Sequence, residues 1–311
     1  MPTITPTVST TTSTDADPGA SGETTIDLDT LRFALPKGRM QVEVDRLLAD
    51  AGLEVNADQR GYRPTISGFP GVEAKRLKPQ AIVSMLAAGT RDLGFGGADW
   101  VEELDLADDV VELLDTGLDP VRIVAAAPSG IRIEPGVQLR IASEMPRVAA
   151  EWAERRGLDF TLVQSWGATE VLPPEDADVV VDLVQSGATL AANGLRIIDV
   201  IARSSTRLYA SLEAASCPNR RIVIDRIVEL VASVLEARSR YLLELNVPSD
   251  RLDEVLGILP CMRRPTVSPL ARDGFAVRAA VPRGDFPKLI GKIRMAGGTD
   301  LVVGEARQVF P

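Results

Sequence analysis

The stretch "DVVVDLVQSGATLAANGL", Asp178 to Leu195, decides the fold class. Three consecutive valines between two acids suit a strand buried on both faces, which is apolar without alternation. Ser186, Gly187, Ala188 and Thr189 follow with almost no side-chain bulk, and a helix opens directly after them. A turn of small residues between strand and helix lets successive backbone N–H groups converge on one point. The helix dipole adds partial positive charge there, so an anion can bind without a lysine. Gly187 permits close approach of the backbone, and the hydroxyls of Ser186 and Thr189 add donors. Asp182, ending the strand, can accept hydrogen bonds from a diol beside that anion. Asp178 lies four residues earlier, roughly 13 Å away along an extended chain, and belongs to the strand's start.

Working outward, the same punctuation recurs. "LRFALPKGRM" (31–40) is a short apolar strand running into Pro36, Lys37, Gly38 and Arg39, and "QVEVDRLLADAG" is an amphipathic helix closed by Gly52. "AIVSMLAAGTRDLGFGGADWVEEL" (81–104) repeats the logic, with Gly96 and Gly97 ahead of Asp99. Strands at "VRIVAAAP", "LRIAS" and "FTLVQS" alternate with the helix "MPRVAAEWAERRG". The alternation predicts an α/β fold with a mainly parallel sheet, helices on both faces, and ligands beyond the carboxyl ends of the strands. After Cys217 the pattern changes. A long helix, "RRIVIDRIVELVASVLEARSRY", leads into strand, helix, two strands, helix and strand over 242–309. That βαββαβ order predicts a ferredoxin-like domain.

Composition narrows the chemistry. The 311 residues include no histidine, which removes the commonest general base and metal ligand. Catalysis must rest on carboxylates, Lys, Arg, backbone dipoles or a cofactor. Cys217 and Cys261 are too few for a disulfide framework, which fits a cytoplasmic protein. A net charge of −10 argues against nucleic acid, and no apolar run approaches the roughly 20 residues that span a bilayer. Residues 1 to 30 are rich in Thr, Ser, Pro and Asp and read as a disordered tail. Trp100, Trp152 and Trp166 read as packing residues, and Lys37 and Arg39 also suit a solvated turn.

An acid, three residues, then a hydroxyl residue and glycine is the general form of a phosphoribosyl pyrophosphate (PRPP) loop. On these residues alone an ordinary strand–turn–helix junction stays open beside it. The longer stretch "GATEVLPPEDADVVVDLVQSGATLAANGLRIIDVIARS" closely resembles the ATP phosphoribosyltransferase family, the first enzyme of histidine biosynthesis. "LRFALPKGRM", "RDLGFGGADWVEE", "RIASEMP" and "RRPTVSPL" extend the resemblance over roughly 31 to 311, and the last resembles the long form of the family.

The resemblance implies a two-lobed catalytic part like periplasmic binding proteins over 31–220. Lobe one would hold about 31–125 and 200–220, and lobe two about 126–199. A regulatory ferredoxin-like domain would occupy 221–311. It further implies that ATP and PRPP are joined with release of pyrophosphate, and that Mg²⁺ is carried by substrate phosphates rather than by protein ligands. Histidine would be a feedback inhibitor, dimers would assemble into hexamers, and no separate regulatory subunit would be needed. Asp182, Ser186, Gly187, Ala188 and Thr189 would bind PRPP. Lys37, Gly38, Arg39 and Asp99 would meet ATP or its phosphates, and Glu170 and Asp182 are the catalytic candidates. The chain departs from the family pattern at Ala81, Gly97 and Gln185, which leaves a catalytically weak paralogue open. A non-catalytic ligand sensor of the same fold, or an enzyme with another base acceptor, also stays open.

Overall fold

The computed structural model describes residues 30–57, 61–262 and 264–311. The expectation for the tail falls, save for Thr30, outside the described residues. Strand β1 (Leu31–Pro36) buries Leu31, Phe33, Ala34 and Leu35 completely. Helix α1 (Arg39–Asp50) follows with Met40, Val44, Leu47 and Leu48 on one buried face, the spacing of an amphipathic helix. A small ribbon, β2 (Val55–Asn56) with β3 (Thr65–Ile66), leads to β4 (Val72–Leu77) and α2 (Pro79–Ala87). β5 (Leu93–Gly97) and α3 (Ala98–Glu103) complete this run. β1 pairs in parallel with both β4 and β5. A Cβ at Gly94 would come within 2.6 Å of Ile82 Cγ2, so glycine there lets α2 lie close on the sheet.

Next comes β6 (Val110–Pro128), 19 residues long, followed by β7 (Gln138–Ser143), α4 (Pro146–Arg155) and β8 (Asp159–Gln164). A short 3₁₀ turn at Thr169–Val171 precedes β9 (Val179–Val184), α5 (Ala188–Ala192) and the 17-residue β10 (Leu195–Ser211). The strands form one sheet in the order β4-β1-β5-β10-β6-β9-β7-β8. β10 and β6 run antiparallel along their whole length and belong to both halves. Residues 206–210 of β10 pair with β5, while residues 122–126 of β6 pair with β9. Separate cores lie on either side, one around Phe33, Leu47 and Phe95, the other around Ile123, Ile141 and Trp152. This is the two-lobed arrangement, with β6 and β10 as the only covalent crossings among the described residues.

The mainly parallel sheet needs correction. Each lobe has a parallel heart (β4-β1-β5 and β9-β7-β8), but the two crossing strands are antiparallel to each other and to β5 and β9. Sequence reading kept only "VRIVAAAP" of β6, because the middle of that strand carries Asp115, Gly117 and Asp119-Pro120, which look like a turn. Gly117 and Asp119 do take positive φ (63° and 46°), yet the ladder resumes beyond them with shifts of register. Bulges of this kind bend a long strand without ending it.

Two helices, α6 (Leu212–Ser216) and α7 (Pro218–Arg238), lead out of β10. The sequence reading grouped α7 with the C-terminal unit. Its buried Val223, Ile224, Ile227, Val231 and Val234 lie in one core with Leu31, Phe33 and Leu47 of lobe one. Ion pairs Arg220–Asp92 (3.4 Å) and Arg238–Asp50 (2.7 Å) tie both of its ends there. Beyond it, β11 (Arg240–Val247), α8 (Leu252–Ile258), β12 (Thr266–Pro269), β13 (Phe275–Pro282), α9 (Phe286–Met295) and β14 (Thr299–Gly304) form the ferredoxin-like unit. Its sheet runs β12-β13-β11-β14, and its core contains Leu243, Leu245, Val277 and Ile293.

Candidate functional site

A cleft of about 340 Å³ opens beyond the end of β9 and is lined by Arg39, Val121, Glu170 and every residue from Asp182 to Leu190. Its floor exists because β9 is central to lobe two. Val179, Val180 and Val181 are fully buried between β6 and β7, which fixes where the strand ends. Gly187 then turns the chain with φ +83°, a conformation costly for any side chain, and a Cβ there would also press on Ile197 Cδ1 at 3.3 Å. Ser186 and Thr189 are exposed on the loop, and the Ser186 hydroxyl accepts from the Ala188 amide at 3.2 Å. Since α5 has only five residues, the positive character comes from first-turn amides without intrahelical acceptors, not from an extended dipole.

Asp182 points into the same cleft. Its carboxylate accepts from the Leu183 amide at 2.7 Å. Burial, reinforced by the negative fields of Glu170 and Glu144, pushes its pKa up to about 6 despite that bond. Glu170 arrives from the 3₁₀ turn after Ala168, whose φ of 49° swings the chain back toward β9.

Lobe one contributes Arg39. Gly38, with φ +80° and ψ −140°, provides the bend that starts α1 and puts Arg39 at its first position, facing the cleft. The guanidinium lies 3.4 Å from Asp119, whose side chain is 8% exposed on the β6 crossing strand. Burial raises the Asp119 pKa against the pull of Arg39, with Glu43 adding to the rise. Lys37 turns elsewhere, its ammonium 5.2 Å from the centre of the Tyr62 ring. Asp99 is also outside the cleft lining. It is 2% exposed, accepts from the Ser204 hydroxyl at 2.5 Å, and its amide donates to that same hydroxyl at 3.0 Å. Burial raises its pKa despite those bonds and the pull of Arg39. A Cβ at Gly97 would collide with the Asp99 carboxylate, so glycine at 97 is a requirement of this chain's own packing.

The structure thus gathers Arg39, Glu170, Asp182, Ser186, Gly187, Ala188 and Thr189, and leaves Lys37 and Asp99 apart. Sequence reasoning missed Asp119 and Glu144. Asp119 sits in "GLDPV", where Gly, Asp and Pro look like an ordinary turn, and Glu144 follows β7 with no local signal. Among the described residues no group of three or more His, Cys, Asp or Glu side chains could hold a metal ion, and no helix is long and apolar enough to cross a membrane.

The HisG family model, described as ATP phosphoribosyltransferase, matches residues 78–233, and the model for the HisG C-terminal domain matches 237–307. ATP phosphoribosyltransferases of Pelotomaculum thermopropionicum and Desulforudis audaxviator are each 34% identical over 290 residues, covering 90% of this chain and 99% of theirs. In fold, the chain resembles a solved ATP phosphoribosyl transferase (HisG:HisZ) complex from Thermotoga maritima. The TM-score is 0.57 at 24% identity, over 65% of this chain and 98% of that one.

Proposed function

Since the chain belongs to the ATP phosphoribosyltransferase family, we propose that the cleft beyond β9 is where it joins N1 of ATP to C1 of PRPP, releasing pyrophosphate and giving phosphoribosyl-ATP, the first step of histidine biosynthesis. One observation carries this placement: the small-residue loop, Asp182 and Glu170 of lobe two share a cleft with Arg39 of lobe one. Ser186, Gly187, Ala188 and Thr189 hold the 5′-phosphate with backbone amides and hydroxyls. Asp182, ionised above about pH 6, accepts from the ribose hydroxyls. Arg39, oriented by Asp119, meets substrate phosphate from the other side.

Displacement at C1 builds positive charge on the ribose as the bond to pyrophosphate breaks and the N1 lone pair forms the new one. The carboxylates of Asp182 and Glu170 favour that charge through space. Adenine N1 already has its lone pair available, so a chain without histidine needs no strong base here. Much of the work is positioning by two lobes that can approach each other about β6 and β10.

Mg²⁺ is the cofactor in this reading. Asp182, Glu170 and Glu144 crowd negative charge around one cleft, and Arg39 is the basic side chain among its described lining residues. A cation carried in on substrate phosphates relieves that crowding and, when bound, neutralises the leaving pyrophosphate.

The chain divides near residue 238 in this reading, with α7 part of the catalytic body. The C-terminal unit is the site of histidine inhibition. Support comes from a concave patch of about 380 Å³ on its sheet, lined by Glu244, Asp300, Arg278, Thr266 and Ser268. Arg278 and Glu244 pair with each other there at 2.8 Å, and the carboxylate and ammonium of a free amino acid are the two charges that can take over those partners. With that unit in the same chain, no separate regulatory subunit is needed. Exposed Val302 and Val303 on the edge strand β14 support self-association into dimers and hexamers in the cytoplasm.

The test is pyrophosphate release by the purified chain with Mg²⁺, ATP and PRPP, omitting each in turn and then adding histidine. Release that needs all three and falls with histidine is the expected result. No release from folded protein would sink the catalytic reading, and release indifferent to histidine would sink the inhibition.

A further inference from the structure

A second cavity, about 350 Å³, lies between the lobes and is lined by Lys78, Gln80, Ala81, Ser84, Trp100, Leu104, Glu144, Ser165 and Trp166. Trp166 contradicts its reading as a packing residue: it is 90% exposed, whereas Trp152 is buried and donates to Asp199 at 2.8 Å. An indole left in water costs apolar hydration, so a rigid exposed one facing a cavity calls for an occupant.

Rigidity comes from the residues beside it. Ser165 and Thr169 are both buried and their hydroxyls share a hydrogen bond of 2.5 Å. The Ser165 amide donates to the Ser143 carbonyl at 2.9 Å, and Ser143 in turn donates to the Val181 carbonyl at 2.7 Å. The turn carrying Trp166 is therefore tied to β7 and β9, parallel strands whose carboxyl ends bear Glu144 and Asp182 side by side. Glu144 lines this cavity and also acts electrostatically on Asp182, which makes the two cavities neighbours.

We propose that Trp166, facing Trp100 across this second cavity, is the aromatic platform that receives the adenine of ATP. The inference rests on the reading of the neighbouring cleft as the PRPP site. A purine is flat and stacks on an indole face, and the small side chain of Ala81 leaves room for a ring above it. Adenine bears its exocyclic amine next to N1. An adenine whose N1 is turned toward the ribose therefore presents that amine to Glu144, an acceptor in the lining of this cavity. Lys78 and Gln80, at the start of α2, lie at the rim within reach of the nucleotide's polar groups.

Trp166→Ala and Trp166→Phe test this, and both should fold because the side chain is exposed; a thermal melt checks it. In steady-state turnover, Trp166→Ala should raise KM for ATP roughly tenfold or more. KM for PRPP should stay unchanged, and Trp166→Phe should recover most of the loss. Equilibrium titration with ATP, read by indole fluorescence, needs no turnover. Quenching in Trp100→Phe, which keeps Trp166 at the cavity, that disappears in the double variant Trp100→Phe/Trp166→Phe, where only Trp152 remains, supports the platform. An unchanged KM for ATP in Trp166→Ala, or quenching that persists in the double variant, overturns it. Should the native chain release no pyrophosphate, the catalytic reading fails, and the fluorescence titration still decides the platform alone.

Discussion

The two lobes carry the same staple at the same place, and the two copies are not worth the same. In lobe one, Asp92, just before β5, accepts from the Arg32 amide at 2.7 Å and from its guanidinium at 2.9 and 2.6 Å. In lobe two, Asp178, just before β9, accepts from the Arg140 amide at 2.8 Å and from its guanidinium at 3.2 and 3.0 Å. Each acid also sends its own amide back to the arginine's carbonyl. Both staples bind the start of one parallel strand to the next. They differ in cover: Asp92 has 0% of its side chain exposed beneath α7 and its Arg220, while Asp178 keeps 22% and Arg140 41%. A local motif is thus written twice, and a distant helix sets its energetic weight.

The largest effect should come from breaking the covered copy. Asp92→Ala removes the buried carboxylate that Arg32 and Arg220 share, leaving Arg32 the Gly89 carbonyl and Arg220 the exposed Glu213, and we expect a loss of about 3 kcal/mol in denaturant unfolding. Burial pushes the Asp92 pKa up, but the hydrogen bonds and charge of Arg32, with Arg220, more than offset it, and the carboxyl ends below its ordinary value. Its stabilisation is therefore full above the ordinary carboxylate range and is lost as pH falls through the lowered value.

Strand ends at the opposite edge should behave in reverse, governing turnover rather than stability. Gly187→Val forces a side chain into a φ of +83° in the loop after β9. We expect kcat/KM for PRPP to fall about 100-fold, with the fold kept because the loop is exposed. Full activity in that variant would remove the loop from the site.

Asp182→Asn should lower kcat/KM for PRPP roughly tenfold or more, since a charged acceptor is lost. The native acid limb should show a group near 6 that the variant lacks. Because the folded pKa is raised, ionising Asp182 opposes folding, and that cost appears as pH climbs from the unfolded value near 4 through about 6. The variant should accordingly be more stable than the native chain at pH 8 by about 1 to 2 kcal/mol, and equal to it below about pH 4. Asp92 and Asp182 would then show opposite pH signatures in one molecule. Smallest of all, Asp178→Ala should cost about 1 kcal/mol or less, since its pair is open to solvent. Equal losses for Asp92→Ala and Asp178→Ala would refute the role given to α7.

Much of this was legible along the chain because it is written locally. Valines on consecutive positions, a small-residue turn and a following helix must form a strand end whatever surrounds them, so Ser186 to Thr189 and Asp182 could be named before any fold was known. The βαββαβ order of the last third is likewise a matter of succession. Lys37 and Asp99 stand outside the lining of the cleft beyond β9, because sequence places a residue at a strand end without saying which way its side chain turns. Tyr62 draws the one aside, and Gly97 with Ser204 folds the other inward.

What the sequence by itself determined is the set of strand–turn–helix units, their order, and the chemistry of the loop, because these depend on neighbours a few residues apart. Only the tertiary structure decided the rest: that β6 and β10 run through both lobes, that α7 seals lobe one, that Asp119 meets Arg39, and that Glu144 and Trp166 line the second cavity. Each depends on residues far apart in the chain meeting in space, and burial, which sets both pKa and the worth of an ion pair, exists only once they have met.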